Sequence, residues 1–310
     1  MRSLVSMTRH QLLHRLIYPL ALLVPTTLMP LSPVPLNPAH AFDATTTDPA
    51  ADLLRLIPAM PFGAPATRRT IPLDVAEEIE AQVVALERQA ACRHLAEDPS
   101  LSGTWLLRYT NSLEITNLAE GLPLGFALGR TYQPIDISRG YFENQGAIEH
   151  VLGLARASTC VVGDVSVAPA NTRNAAGTLD VAGNRVFVDF RRIVFSIDEL
   201  LGQKMSGLRK VVVPRNDPNA ARPSNDITYL SAGVRLTRGG DDSIFVFTRE
   251  AVERPLLSVD ERERLFSEGG AGATTGLGVA EKSAPPEFRK LLLGRRQDTV
   301  GHDISGRRTN

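Results

Sequence analysis

The sequence predicts a mainly β protein, an antiparallel sandwich or closed barrel, preceded by an amphipathic helix and flanked by flexible tails. Three observations carry this. Short runs with strand-like alternation recur from Leu101 to Glu250. Turn clusters separate them: Ser138-Arg139-Gly140, Ala182-Gly183-Asn184 and Arg238 to Asp242. One stretch before them switches to helical spacing instead. Side chains alternate between faces along a strand and return every three or four residues along a helix, so the two textures are separable in sequence.

The first residues stand apart. No acidic residue precedes Asp43, while Arg2, Arg9 and Arg15 precede an apolar run from Leu16 to Leu36. Pro19, Pro25, Pro30, Pro33 and Pro35 interrupt that run, and proline disrupts helix interiors. A stable membrane span needs about 20 apolar residues in continuous helix, so a permanent anchor is disfavoured. Ala39-His40-Ala41 supplies small residues where a signal peptidase reads. Residues 1–41 therefore read as a targeting segment cut after Ala41. Bacterial export and thylakoid-lumen signals share this physics.

Residues 42–72 are rich in threonine, alanine and proline and read as a linker with an apolar patch at Leu53, Leu54, Leu56 and Ile57. Leu73 to Glu97 reads as one helix. Val75, Ile79, Val83, Leu86 and Ala90 form its stripe, Asp74 caps it and Asp98-Pro99 stops it. The strands expected next are Trp105 to Thr110, Tyr132 to Ile137, Gly140 to His150, Thr159 to Val167 and Arg185 to Ile193. They continue with Arg209 to Val213, Thr228 to Leu230, Val234 to Thr237 and Ile244 to Thr248. Phe245 and Phe247 share one face. Val186, Val188 and Phe190 alternate with Phe187, Asp189 and Arg191. On the Val234 strand, Arg235 and Thr237 face away from Val234 and Leu236. Arg235 reads as an edge charge, solvated or paired with Glu114 or Asp226 beside an opening.

Residues 251–310 form a C-terminal extension. Leu256 to Phe266 reads as a short charged helix, Gly269 to Gly278 as a flexible spacer, and Pro285 to Arg296 as a short basic helix. Phe288, Leu291 and Leu292 on one side of that helix suggest a weak, reversible peripheral membrane contact.

Composition excludes several classes. Lysine and arginine number 34, as do aspartate and glutamate, so nucleic acid is not an expected partner. Two cysteines cannot build a metal cluster. In an oxidising compartment Cys92 and Cys160 are a candidate disulfide, which requires Cα atoms about 6 Å apart. Neither G-x-S-x-G nor H-E-x-x-H occurs, and no nucleophile, base and oxyanion donor assemble. No catalytic residue, metal or cofactor is expected.

Two stretches, one at each end of the β region, resemble a known family. The first runs Leu101-Ser-Gly103-Thr-Trp105-Leu-Leu107-Arg-Tyr109-Thr110. The second runs Asp226-Ile-Thr228-Tyr229-Leu230, through Gly-Val234-Arg235-Leu236-Thr-Arg238-Gly239, to Ser243-Ile-Phe245-Val-Phe247. Together they are similar to the plastid lipid-associated proteins, or plastid fibrillins, over about residues 73–250. Ile135-Asp136 through Glu143-Asn144 and Arg185 to Ser196 resemble inner motifs of that family. Ser231-Ala232 stands where the family has an acidic pair, and Gly240 interrupts its Arg-Gly-Asp.

The resemblance implies a non-enzymatic, lipocalin-like β-barrel that holds a hydrophobic small molecule: a lipid, carotenoid or quinone. The implied place is the plastid, at thylakoids or plastoglobules, with the thylakoid lumen one destination the leader allows. Trp105, Tyr109, Phe187, Phe245 and Phe247 are the candidate lining residues. The competing reading is a structural or assembly module that uses the same barrel to hold proteins. The interior discriminates them: an apolar cavity of about 300 Å³ or more favours a carrier, a filled one a scaffold.

Overall fold

The structure, a computed structural model, describes residues 50–89, 93–214 and 221–268. The leader, Cys92 with its expected pairing, and the basic C-terminal helix lie outside the described residues.

The described residues open with helix α1 (Ala51–Leu56), the short strand β1 (Ala66–Thr67) and helix α2 (Leu73–Gln89). Strand β2 (Gly103–Thr110) and helix α3 (Leu113–Ala119) follow. Next come β3 (Phe126–Asp136), β4 (Tyr141–His150), β5 (Ala155–Val167) and β6 (Arg185–Leu200). The last group is β7 (Gln203–Lys204), β8 (Arg209–Val212), β9 (Ser224–Leu230), β10 (Val234–Gly239), β11 (Ile244–Arg249) and α4 (Val259–Ser267).

Strands β2, β11, β10, β9, β6, β5, β4 and β3 pair in that order, and β3 pairs back to β2. The β region is thus a closed antiparallel barrel, and its first and last long strands are neighbours, with Phe245 opposite Thr110 and Arg249 opposite Trp105. Closure removes the two bare edges an open sheet would present.

The barrel has a sealed end and a looser one. At the sealed end, here the floor, two 3-10 turns (Leu95–Glu97 and Pro99–Leu101) fold under the barrel. They bury Leu95, Ala96 and Leu101 against Trp105 and Val186. These turns occupy a stretch expected to continue the first helix. The backbone reverses at His94, whose φ of 59° no helix tolerates, and Ala182 and Asn184 take up the amides of His94 and Leu95.

At the other end, the mouth, two seams part. One edge of β2 holds β3 only over Gly103–Leu106; at Tyr109 and Thr110 that edge holds β1 in parallel. One edge of β6 holds β9 only over Arg185–Phe187; at Ile193–Ser196 it holds β8.

Helix α2 lies on the outer wall. Ala76, Ile79, Val83 and Leu86 pack against Tyr109, Tyr229, Val234, Leu236, Ile244 and Val246. Burial of each branched side chain contributes about 1.5–3 kcal/mol. Arg238 grips Glu87 through two hydrogen bonds of 2.9 and 2.8 Å.

The segment read as a linker is part of this layer over residues 50–72. Ala50, Leu53, Ile57, Ala66 and Ile71 are buried in the same cluster. Its apolar patch is a helix of six residues, too short to show a period. Past residue 250 the chain also docks: α4, started by a Ser258–Glu261 capping box, packs Leu265 against Val162, Val194 and Val211.

Candidate ligand-binding site

Bulges decide which side chains enter the barrel. Tyr109 pairs with Val246 and Leu107 with Phe247, so Arg108 is an extra residue. An extra residue inverts the alternation beyond it. Trp105 and Leu107 therefore point inward, into the cluster with Ile135 and Phe142, and Tyr109 points outward under α2. Its hydroxyl donates to Glu80 Oε1 at 2.7 Å. Burial, then the Glu80 carboxylate, push the phenol well above its ordinary pKa near 10. Tyr109 is thus not a lining residue.

Phe187 is not one either. Val186 and Val188 occupy the interior cluster, which sends Phe187 outward, where the Arg222 guanidinium sits 4.3 Å from its ring centre. Phe245 and Phe247 do face inward as the alternation requires, with ring centres 6.3 Å apart.

Trp105 is a floor plug. It is fully buried, and its indole N–H donates to the Leu101 carbonyl at 2.9 Å. The Arg249 guanidinium packs 4.2 Å from its ring. That guanidinium donates to the carbonyls of Ser102 (2.8 Å), Ala232 (3.0 Å) and Ser100. One side chain thereby ties the floor turn, the β9–β10 turn and the plug together.

Arg235 departs from the expected edge charge. It is 1% exposed. Asp226, its expected partner, is engaged by the Arg185 guanidinium through bonds of 2.6 and 2.7 Å. Arg235 instead lies 4.2 Å from the Phe247 ring centre and 4.9 Å from Trp105, and donates to Gln133 Oε1. Burial, then the nearby charge of Arg249, push its pKa down to about 9, so it remains cationic at neutral pH. A cavity of about 10 Å³ beside it is lined by Gln133, Ile135, Phe142, Asn225 and Thr237, among others. That is room for a single water-sized group. The floor half of the barrel is filled.

The mouth half differs. Cys160, Val162 and Val194 pack outside with α4. The alternate cross-strand pairs Val161 with Ile193, Thr159 with Phe195 and Ala157 with Ile197 therefore face inward. So does Ile148, opposite Ala157 on β4. Ile148, Val161, Ile193, Phe195 and Ile197 are all only half-buried. These side chains form the inner wall, or cup, of the mouth half and stay partly accessible to solvent. Around it, Leu113, Leu124, Val151, Leu152 and Leu201 are each more than half exposed. The rim loops are tied to one another by Val151 N to Gly125 O at 2.8 Å and Leu201 N to Leu154 O at 2.7 Å. None of the cup residues was among the sequence candidates. Their signal was present: Ile193, Phe195 and Ile197 continue a period of two beyond the end assigned to that strand.

A family model described as PAP_fibrillin matches residues 51–248. No curated protein and no solved structure matches the chain. The match spans α1 to β11, nearly two thirds of the sequence, and includes the outer layer of α1, β1 and α2 with the whole barrel. The chain belongs to the PAP_fibrillin family, the plastid lipid-associated proteins or plastid fibrillins.

Proposed function

We propose that this protein is a non-enzymatic plastid module that holds a hydrophobic small molecule, a lipid, carotenoid or quinone, in the mouth of its barrel. The half-buried apolar cup of Ile148, Val161, Ile193, Phe195 and Ile197 carries this reading. Apolar surface left accessible in a concavity gains about 25 cal/mol for each Å² a ligand covers. The exposed rim of Leu113, Leu124, Val151, Leu152 and Leu201 supports a mouth that meets a lipid surface, such as a thylakoid or plastoglobule, from which an apolar ligand transfers without crossing water. Plastid residence follows from the family, and the acid-free leader supports import.

One observation favours a second reading. The floor half holds a cavity of only about 10 Å³, far below what an enclosed carrier needs. An assembly module would use the same apolar mouth for a protein partner. Native purification, lipid extraction and mass spectrometry test the two. A stoichiometric apolar molecule, lost in Phe195→Asp while the fold persists, is the expected result. A lipid-free native protein whose Phe195→Asp variant loses a protein partner instead would overturn the carrier reading.

A further inference from the structure

Arg235 sets a problem that the fold leaves open. A buried charge is ordinarily paired, and among the described residues no carboxylate forms an ion pair with this one. The neighbouring charge that Arg235 feels is the cation Arg249. Its two nearest rings, Trp105 and Phe247, are held against the guanidinium, so its hydrogen-bond donors are left to the edges. One edge is spent on Gln133. The Nε donor is buried with no partner. Arg235 also lines the 10 Å³ cavity, together with Gln133, Asn225 and Thr237.

We propose that this cavity is a carboxylate site. A carboxylate is an acceptor-only anion, and it supplies what the surroundings lack: a counter-charge and an acceptor for Nε. Water would satisfy the donor and leave the charge. The cavity takes one water-sized group, so an acid enters end-on, with one oxygen in the cavity. Thr237 follows Arg235 on the same strand face, on the side toward the mouth. Two sources share this chemistry: a free small carboxylate, and the acid end of a long-chain amphiphile whose tail lies in the cup. The second source rests on the function proposed above.

The test uses full-length protein in chloride-free buffer of constant ionic strength. Displacement of an apolar fluorescent dye is measured with palmitic acid and with its methyl ester, and thermal shift is measured with sodium acetate. The expected result is that the acid binds at least tenfold tighter than the ester. Arg235→Met should bring the acid to the ester's level and leave the ester unchanged. Replacing a buried charge by an apolar group of similar volume is often neutral for stability; Arg235→Lys, which keeps the charge, should retain part of the preference. Should acetate raise the melting temperature in wild type and not in Arg235→Met, with acid and ester equal, the site stands and its ligand is a free carboxylate. Equal binding of acid and ester with no acetate effect overturns the carboxylate site and leaves the apolar mouth intact. Failure of all three probes overturns both the site and the hydrophobic-ligand reading.

Discussion

Removing one oxygen, in Tyr109→Phe, separates the outer wall from the ligand site. The hydroxyl donates to Glu80 Oε1 at 2.7 Å, and the ring is fully buried between the barrel wall and α2. Phenylalanine fills the same space, so no cavity forms and the loss is confined to the hydrogen bond. Bonds to a charged group contribute about 1.5–3 kcal/mol. Asn111 Nδ2 at 3.3 Å and Arg68 Nε at 3.8 Å stay near the carboxylate, which favours the lower part of that range. For a domain of this size, about 2–4 °C is lost per kcal/mol, so the melting temperature should fall by about 3–12 °C at pH 7. The pH dependence has a definite sign. The folded pKa lies above the unfolded one. The hydroxyl's contribution is therefore full below about pH 10 and is lost as pH rises toward the higher folded value. Wild type and variant should converge in alkali. Chemical denaturation at pH 7 and pH 10.5, with dye binding measured in parallel, decides the matter. Unchanged stability would remove the Glu80 bond from the account. Lost ligand binding in a folded variant would return Tyr109 to the lining.

Gly163→Ala places a Cβ 2.2 Å from the Phe142 ring and 2.8 Å from the Asp189 carbonyl; overpacking of this kind should cost about 1–3 kcal/mol, seen as a lower denaturation midpoint. Arg249→Met removes the clamp on the floor turn and should cost about 1.5–3 kcal/mol. Because Trp105 is the only tryptophan, its emission should shift to the red in that variant; an unshifted spectrum would mean the floor is held by packing alone.

Much of the barrel was legible because alternation and turn residues are local. Each expected strand is present, and the error lies mainly in the ends. Phe126 to Thr131 and Val194 to Leu200 extend their strands through runs in which charge and serine break the apolar pattern. The site was less legible. Parity along a strand is readable, but a single extra residue inverts it, and nothing in Leu107-Arg108-Tyr109 marks the bulge that turns Tyr109 outward. For Arg235 the parity was right: it shares a face with Thr237. Its burial was not expected, since charge ordinarily marks a solvated face. The rings that hold it come from β2 and β11, more than a hundred and about ten residues away along the chain. The six residues of α1 carry too short a pattern to announce a helix, so the outer layer was read as beginning at Leu73.

The two seams make the barrel mechanically uneven. Around the floor, β2 is bonded to β3 and β6 to β9, so opening it there must break bonds between long strands. Around the mouth, β2 and β6 part from β3 and β9, and their freed edges carry only β1 and β8, of two and four residues. Such short pairings open by local fluctuation well before the whole domain unfolds. Amide protons of Ala66, Thr67 and the β8 strand should exchange with solvent sooner than those of Trp105 or Val186. The molecule would then behave as a stiff cup with a compliant lip, able to widen for an occupant without loosening the tryptophan at its base.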